Sequence, residues 1–168
     1  MKIIHLIRHA KSDWGSENLS DKDRPLNKRG KKSCRIMAGR IVEVGGVFEN
    51  VFCSSAKRAQ ETIKRISENA AQGEFEWNVC EELYTFDSRT VLAWLQKVSD
   101  SYENVMVVGH NPGLTELCNF AGDKHIDNIS TCGYVQLCCD INSWKELASN
   151  KAELKAYIFP KMFDEFYE

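Results

Sequence analysis

The sequence predicts an α/β protein, a three-layer sandwich whose mostly parallel central sheet is flanked by helices. Three observations carry that expectation. Short apolar runs of strand length alternate with longer segments of helical periodicity along the whole chain. The run Asn104 to Gly109 is apolar almost throughout, as a parallel strand covered on both faces must be. The 168 residues fit one domain that can bury a core without staples.

The first strand is Ile3 to Ile7, too short and too rich in isoleucine for a helix, and it ends abruptly in Arg8 and His9. A long polar loop follows, Lys11 to Leu26, holding Asp13, Trp14, Gly15, Ser16, Asp21, Asp23 and Pro25; most of it reads as plain surface. Asn27 is placed to cap a helix running to about Val44, with Ile36, Met37, Ile41 and Val42 at helical spacing and Gly45-Gly46 ending it. Its first turns carry Lys28, Arg29, Lys31, Lys32 and Arg35, where cations oppose the helix macrodipole. That cluster reads first as a solvated face and second as a surface for an acidic protein partner.

Asn50 to Ser55 predicts a second strand ending in two serines, and Ala56 to Ala70 a helix with Arg58 in its first turn. Phe75 to Val79 alternates as a strand; Asp87-Ser88-Arg89 opens a helix through Leu95 and Val98. The strand Asn104 to Gly109 runs into His110-Asn111-Pro112-Gly113 and a helix from about Leu114 to Phe120. Gly133 to Asp140 and Glu153 to Phe159 read as the last two strands, and Pro160 to Glu168 as a loosely held tail.

Composition narrows the function classes. With 22 basic and 24 acidic residues the net charge is -2, so nothing draws the chain as a whole to nucleic acid or to an anionic membrane. Neither a signal-peptide pattern nor a spanning apolar run is present, and the expected setting is the cytoplasm. The seven cysteines are odd in number and form no C-x-x-C pair, so neither a disulfide framework nor a zinc site is expected. They read as buried thiols.

Parallel strands bring their carboxyl ends to one edge of a sheet, where ligands of open α/β folds bind. Arg8-His9, Arg58 and His110 therefore converge, and no acid is required by the pattern. Two guanidinium forks suit phosphate oxygens, because their planar donors bind two oxygens at once and stay charged. A neutral imidazole can attack phosphorus, so one histidine is a candidate nucleophile and the other a donor to the transferring charge. A histidine beside two arginines is expected to stay neutral. His5, inside the first strand, reads as a satisfied core histidine, and His125 as a loop residue. Two histidines flanked by arginines would repel a cation, so no metal and no cofactor are expected.

The set LIRHAKSDW, RPLNKRG, CSSAKRAQET and VMVVGHNPGL, in this order, resembles the histidine phosphatase superfamily with its phosphoglycerate mutase-like fold, and is most similar to the small SixA-type phosphohistidine phosphatases. The resemblance covers about Met1 to Phe159. It implies that His9 is the nucleophile and that Arg8, Arg58 and His110 form the phosphate pocket, with Ser12 as an added hydroxyl donor and Asn111 as a further substrate contact or a turn holder. It also places the family's usual general acid on or next to Tyr84, where no carboxylate stands; Glu82 and Asp87 are the nearest candidates. SixA-like proteins share this gap. The implied reaction is cofactor-independent dephosphorylation of phosphohistidine on a signalling or phosphotransfer protein, since a leaving imidazole needs less acid help than an alkoxide. Alternatives are a phosphatase of small phosphomonoesters and, in another class, a catalytically idle module that binds a phosphorylated partner. The oligomeric state is not indicated by the sequence.

Overall fold

The computed structural model describes residues 1–14 and 18–164. Strands β1 (Lys2–Arg8), β2 (Val51–Ser54), β3 (Asn78–Cys80), β4 (Asn104–Gly109), β5 (Tyr134–Cys139) and β6 (Ala152–Ile158) form one sheet in the order β3-β2-β4-β1-β5-β6. β3, β2, β4 and β1 pair in parallel, and β5 runs antiparallel to both β1 and β6. The carboxyl ends of β1, β2 and β4 consequently share one edge.

Helices α1 (Lys28–Glu43) and α2 (Lys57–Glu68) cover one face of this sheet. They pack on Ile7, Val51, Cys53, Met106 and Val108. Helices α3 (Ser88–Leu95) and α4 (Gly113–Ala121) cover the other, on Ile4, Leu6, Val105, Val107 and Val135. Successive residues of β4 thus point into opposite layers, which is why that strand is apolar throughout. Among the described residues no helix is long and apolar enough to cross a membrane.

α1 forms where the sequence predicts it. Asn27 accepts a hydrogen bond from Gly30 N at 2.8 Å, and Cys34, Met37, Ala38 and Ile41 are fully or almost fully buried at i, i+3, i+4 and i+7. Burying one such aliphatic side chain contributes roughly 1.5–3 kcal/mol. A β-carbon on Gly30 would collide with the Lys11 carbonyl oxygen. This close approach lets the Asn27 N–H donate to that same carbonyl at 3.0 Å and locks the segment after His9 onto the helix.

Three elements differ from the sequence reading. The third strand lies over Asn78–Cys80 and not over Phe75 to Val79. The backbone N–H and carbonyl of Phe75 bond the Ser67 hydroxyl instead of a ladder, and the Phe75 ring stacks on Phe48 at 4.4 Å; the alternation reflects ring packing there. The loop from Lys11 to Leu26 is closed by an isolated bridge between Ser12 and Leu26 and contains a 3-10 turn, Asp21–Asp23; Gly15 and Ser16 of that loop lie outside the described residues. The carboxyl segment is docked as a 3-10 turn over Pro160–Phe163, with Pro160 buried, Arg40 stacked on Phe163 at 4.7 Å and Lys32 paired with Asp164 at 2.6 Å. Residues 165–168 of the expected tail lie outside the described residues.

Candidate active site

His9 stands at the end of β1, its N–H donating to the Gly109 carbonyl at 3.1 Å. Its Nδ1 lies 2.7 Å from the Ala10 carbonyl oxygen, which can only accept, so Nδ1 carries the proton and Nε2 keeps its lone pair. Arg58 Nε–H points at that lone pair from 3.3 Å. Burial lowers the imidazole pKa to about 3; the Ala10 carbonyl opposes the shift, and His110, Arg58 and Arg8 add to it. The expected neutrality is present, but desolvation outweighs the arginines as its cause.

His110 follows β4 directly. Arg58 Nη2, a donor only, lies 3.4 Å from His110 Nδ1, so the proton of this ring is on Nε2, which donates to Ser54 Oγ at 2.7 Å. The Ser54 oxygen also accepts from Ala56 N at 3.2 Å, tying the end of β2 to the start of α2. Burial, followed by the charge of Arg58, lowers the His110 pKa to about 3 as well. The two imidazoles lie 5.2 Å apart, centre to centre.

Arg58 is almost wholly buried at 1 % exposure. The backbone carbonyl of Arg58 accepts from Thr62 Oγ1 at 2.6 Å, and that oxygen accepts from Ala10 N at 2.9 Å, so α2 is pinned to the residue after His9. Arg8 donates through Nη1 to the Ile129 carbonyl at 2.8 Å, while its Nε is buried without a hydrogen-bonding partner. The four residues singled out from three strand ends are therefore brought together at one edge.

A carboxylate joins them that sequence reasoning left in the loop. Asp21 Oδ2 accepts from Arg58 Nη2 at 3.0 Å and from the Tyr84 hydroxyl at 2.6 Å, and the Asp21 carbonyl accepts from Arg58 Nη1 at 2.7 Å. Asp21 Oδ1 accepts from Arg24 Nη2 at 3.1 Å. Arg24 in turn donates to Ser12 Oγ at 2.6 Å, and its guanidinium lies over the Trp14 ring at 3.6 Å. Desolvation works against ionisation of Asp21, but the Tyr84 hydroxyl, Arg24 and Arg58 outweigh it and hold the pKa down to about 2. The pattern of strand ends required no acid, and this carboxylate comes from the loop instead. Asp21, Arg24, Ser54 and Thr62 were not singled out as site residues; the available signals were that Arg24 opens the quoted RPLNKRG segment with Asp21 three residues before it, and that Ser54 and Thr62 lie inside CSSAKRAQET.

The remaining candidates divide. Ser12 is buried at 8 % exposure and oriented by Arg24. The Asn111 amide is engaged by α4 and the segment before β5: Nδ2 donates to the Ile129 carbonyl at 2.9 Å and Oδ1 accepts from Thr115 N and Oγ1 at 3.1 and 2.9 Å. Asp87 caps α3 by accepting from Arg89 N at 2.9 Å, and the Arg89 guanidinium holds its carboxyl below the usual range. Glu82 is exposed on a 3-10 turn, Glu81–Leu83. Tyr84 and Phe86 pack against His110 at 5.6 and 5.3 Å, giving the mouth of the site an aromatic wall. His5 is buried and bonded to Tyr134 Oη at 2.6 Å and Asn104 Oδ1 at 2.9 Å. His125 is exposed beside Asp127.

Comparison with known proteins agrees with this geometry. Residues 4–87 match the family model described as histidine phosphatase superfamily (branch 1). An uncharacterised chloroplastic protein of Arabidopsis thaliana is 30% identical over 151 residues, covering 84% of this chain and 68% of that protein. Among solved structures, the protein histidine phosphatase SixA complexed with tungstate superposes with a TM-score of 0.79 at 20% identity, over 96% of this chain and 99% of that one. A structure described as a putative phosphohistidine phosphatase SixA from Agrobacterium tumefaciens superposes with a TM-score of 0.76 at 22% identity, over 95% and 99%. The chain belongs to the histidine phosphatase superfamily and has the fold of its SixA-type members.

Proposed function

We propose that the protein hydrolyses phosphohistidine on a partner protein through a phosphorylated His9, with no metal or cofactor. The observation that carries the reading is the His9 Nε2 lone pair, fixed by the Nδ1 bond to Ala10 and facing the Arg58 guanidinium. In the first step Nε2 attacks phosphorus in line, the new N–P bond forming as the substrate's N–P bond breaks. The leaving imidazole keeps the electron pair, and any proton it takes at that nitrogen comes from solvent water. Arg58 and Arg8 gather the equatorial oxygens, and His110 adds a polar contact. In the second step water attacks the phosphorylated His9, inorganic phosphate leaves, and the free imidazole returns.

Support for a nitrogen leaving group comes from the candidate acids. Asp87 is committed to its helix cap and Arg89, Glu82 is exposed, and Tyr84 presents its hydroxyl to Asp21. An alkoxide would need a proton from such a group, whereas an imidazole nitrogen does not depend on one. The similarity to a protein histidine phosphatase holding tungstate, a tetrahedral oxyanion, points the same way.

The test is a substrate panel with a trapped intermediate. Wild-type protein should turn over a phosphohistidine protein faster than small esters and yield acid-labile, alkali-stable phosphate on the enzyme; His9→Ala should yield neither. Strong preference for a small ester would replace this substrate with a phosphomonoester. Binding without any turnover would mark an idle phospho-partner module. Loss of activity with a chelator, restored by metal, would refute the cofactor-free chemistry.

A further inference from the structure

We infer that a basic cleft beside Arg8 docks an acidic stretch of the protein that presents the phosphoryl group; this rests on the phosphohistidine-protein reading. At the carboxyl edge of β1 the surface continues across the segment entering β5 and the segment leaving β6. Between them lies a cleft of about 370 Å³ whose walls combine Arg8, Lys11 and Lys161 with the hydroxyls of Ser130 and Thr131 and the apolar Phe159 and Pro160. Among the described residues no aspartate or glutamate lines it. In a chain of net charge -2 this concentration of cations is local. Its volume suits one or two side chains of a partner.

Arg8 connects this cleft to the phosphoryl site. It is the last residue of β1, immediately before His9, and its Nε is buried without a hydrogen-bonding partner. Arg8 lines the cleft and its charge is felt at His9, so a phosphoryl group at His9 and a carboxylate in the cleft would both be near it. The acid would therefore be close in space to the phosphorylated side chain of the partner.

The first turn of α1 extends the same charge. Its backbone abuts Lys11 through the bond from Asn27 N, and it carries Lys28 and Lys31 with no acidic residue. Cations at a helix N-terminus oppose the macrodipole, by roughly 0.3–1 kcal/mol each. Residues that cost the helix stability there point to a requirement outside the helix, and an acidic partner surface supplies it. A small phosphoester would not reach from His9 across the cleft to this turn.

Three phosphohistidine peptides, flanked by glutamate, alanine or lysine, provide the test. Wild-type kcat/KM at low salt should favour the glutamate-flanked peptide over the alanine-flanked one by roughly fivefold. High salt should shrink that preference. Lys161→Glu should bring it to parity or reverse it, with thermal unfolding checking the fold, and Lys28→Glu should reduce it from a position outside the cleft. No preference in the wild type, or an unchanged preference in both variants, would overturn the docking site. Should no phosphohistidine peptide be turned over, the functional reading fails by itself, and docking is judged by binding of the same peptides carrying a stable phosphoryltriazole. Tighter binding of the glutamate-flanked form would uphold docking and equal binding would overturn it. Anionic lipid vesicles or single-stranded DNA competing as well as the glutamate peptide would also overturn it, in favour of generic attraction to polyanions.

Discussion

Asp21 holds Arg58 by both ends of its guanidinium fork, the carboxylate on Nη2 at 3.0 Å and the backbone carbonyl on Nη1 at 2.7 Å. Its Nε faces His9 Nε2 at 3.3 Å, and Nη2 also reaches His110 Nδ1 at 3.4 Å. One residue of a 3-10 turn thereby sets the plane in which the buried arginine meets both the nucleophile candidate and His110.

Asp21→Asn should separate binding from turnover. Removing the negative charge favours an anionic substrate, so KM should fall. Losing a charged hydrogen bond, worth about 1.5–3 kcal/mol, loosens Arg58, and kcat should drop by roughly tenfold or more. Steady-state kinetics resolve the two, and Asp21→Glu should recover part of kcat. A rise in KM with kcat unchanged would place Asp21 in substrate contact instead.

Arg58→Ala removes donors to His9, His110 and the transferring oxygens together. Activity should fall on the order of 10³-fold, as for other arginines that stabilise phosphoryl transfer. Single-turnover rates on phosphorylated substrate measure this directly.

Acid should weaken the fold before the carboxylates titrate. His9 and His110 are neutral in the folded protein, with pKa values near 3, whereas in the unfolded chain they protonate below about 6.5. The unfolded chain then binds more protons, so stability falls as pH drops from about 6.5 towards 3. The loss is at most on the order of 3 kcal/mol per ring at pH 4. Urea unfolding at pH 7 and pH 4 measures it. Activity on an acid-stable substrate should show no inactivating protonation of His9 near pH 6.5.

Gly30→Ala tests the contact that seats the loop on α1. The added methyl meets the Lys11 carbonyl, and overpacking of this kind costs about 1–3 kcal/mol. Chemical denaturation should show that loss, and the displaced Lys11-Ser12 segment should lower activity along with it.

The convergence of Arg8, His9, Arg58 and His110 was legible because each lies at or just after the end of an apolar strand run, and parallel pairing of β1, β2 and β4 leaves only one edge for all of them. Asp21 was not legible. It reaches Arg58 because the Ser12–Leu26 bridge folds the loop back across the site, a contact that no local periodicity announces. The His110–Ser54 pair likewise depends on two strands meeting through β2–β4 register. The displaced third strand shows the converse failure: Phe75-Glu76-Trp77 has a strand's alternation, but Ser67 satisfies the Phe75 backbone and rings fill the space a ladder would need. The docked carboxyl segment was hidden because Lys32, which pairs with Asp164, belongs to a cluster that reads as a solvated face, and Arg40, which covers Phe163, carries no local signal of a partner.

The hydrogen bond from His9 Nδ1 to the Ala10 carbonyl has a regiochemical consequence. With one ring nitrogen committed to the backbone, only the other can carry a phosphoryl group, so the enzyme should form a single phosphohistidine regioisomer, the one substituted at Nε2. Phosphorus NMR of the trapped protein should show one resonance of that isomer. Its alternative, phosphorylated at Nδ1, would require the ring to rotate away from Ala10 inside a pocket that leaves His9 only 8 % exposed.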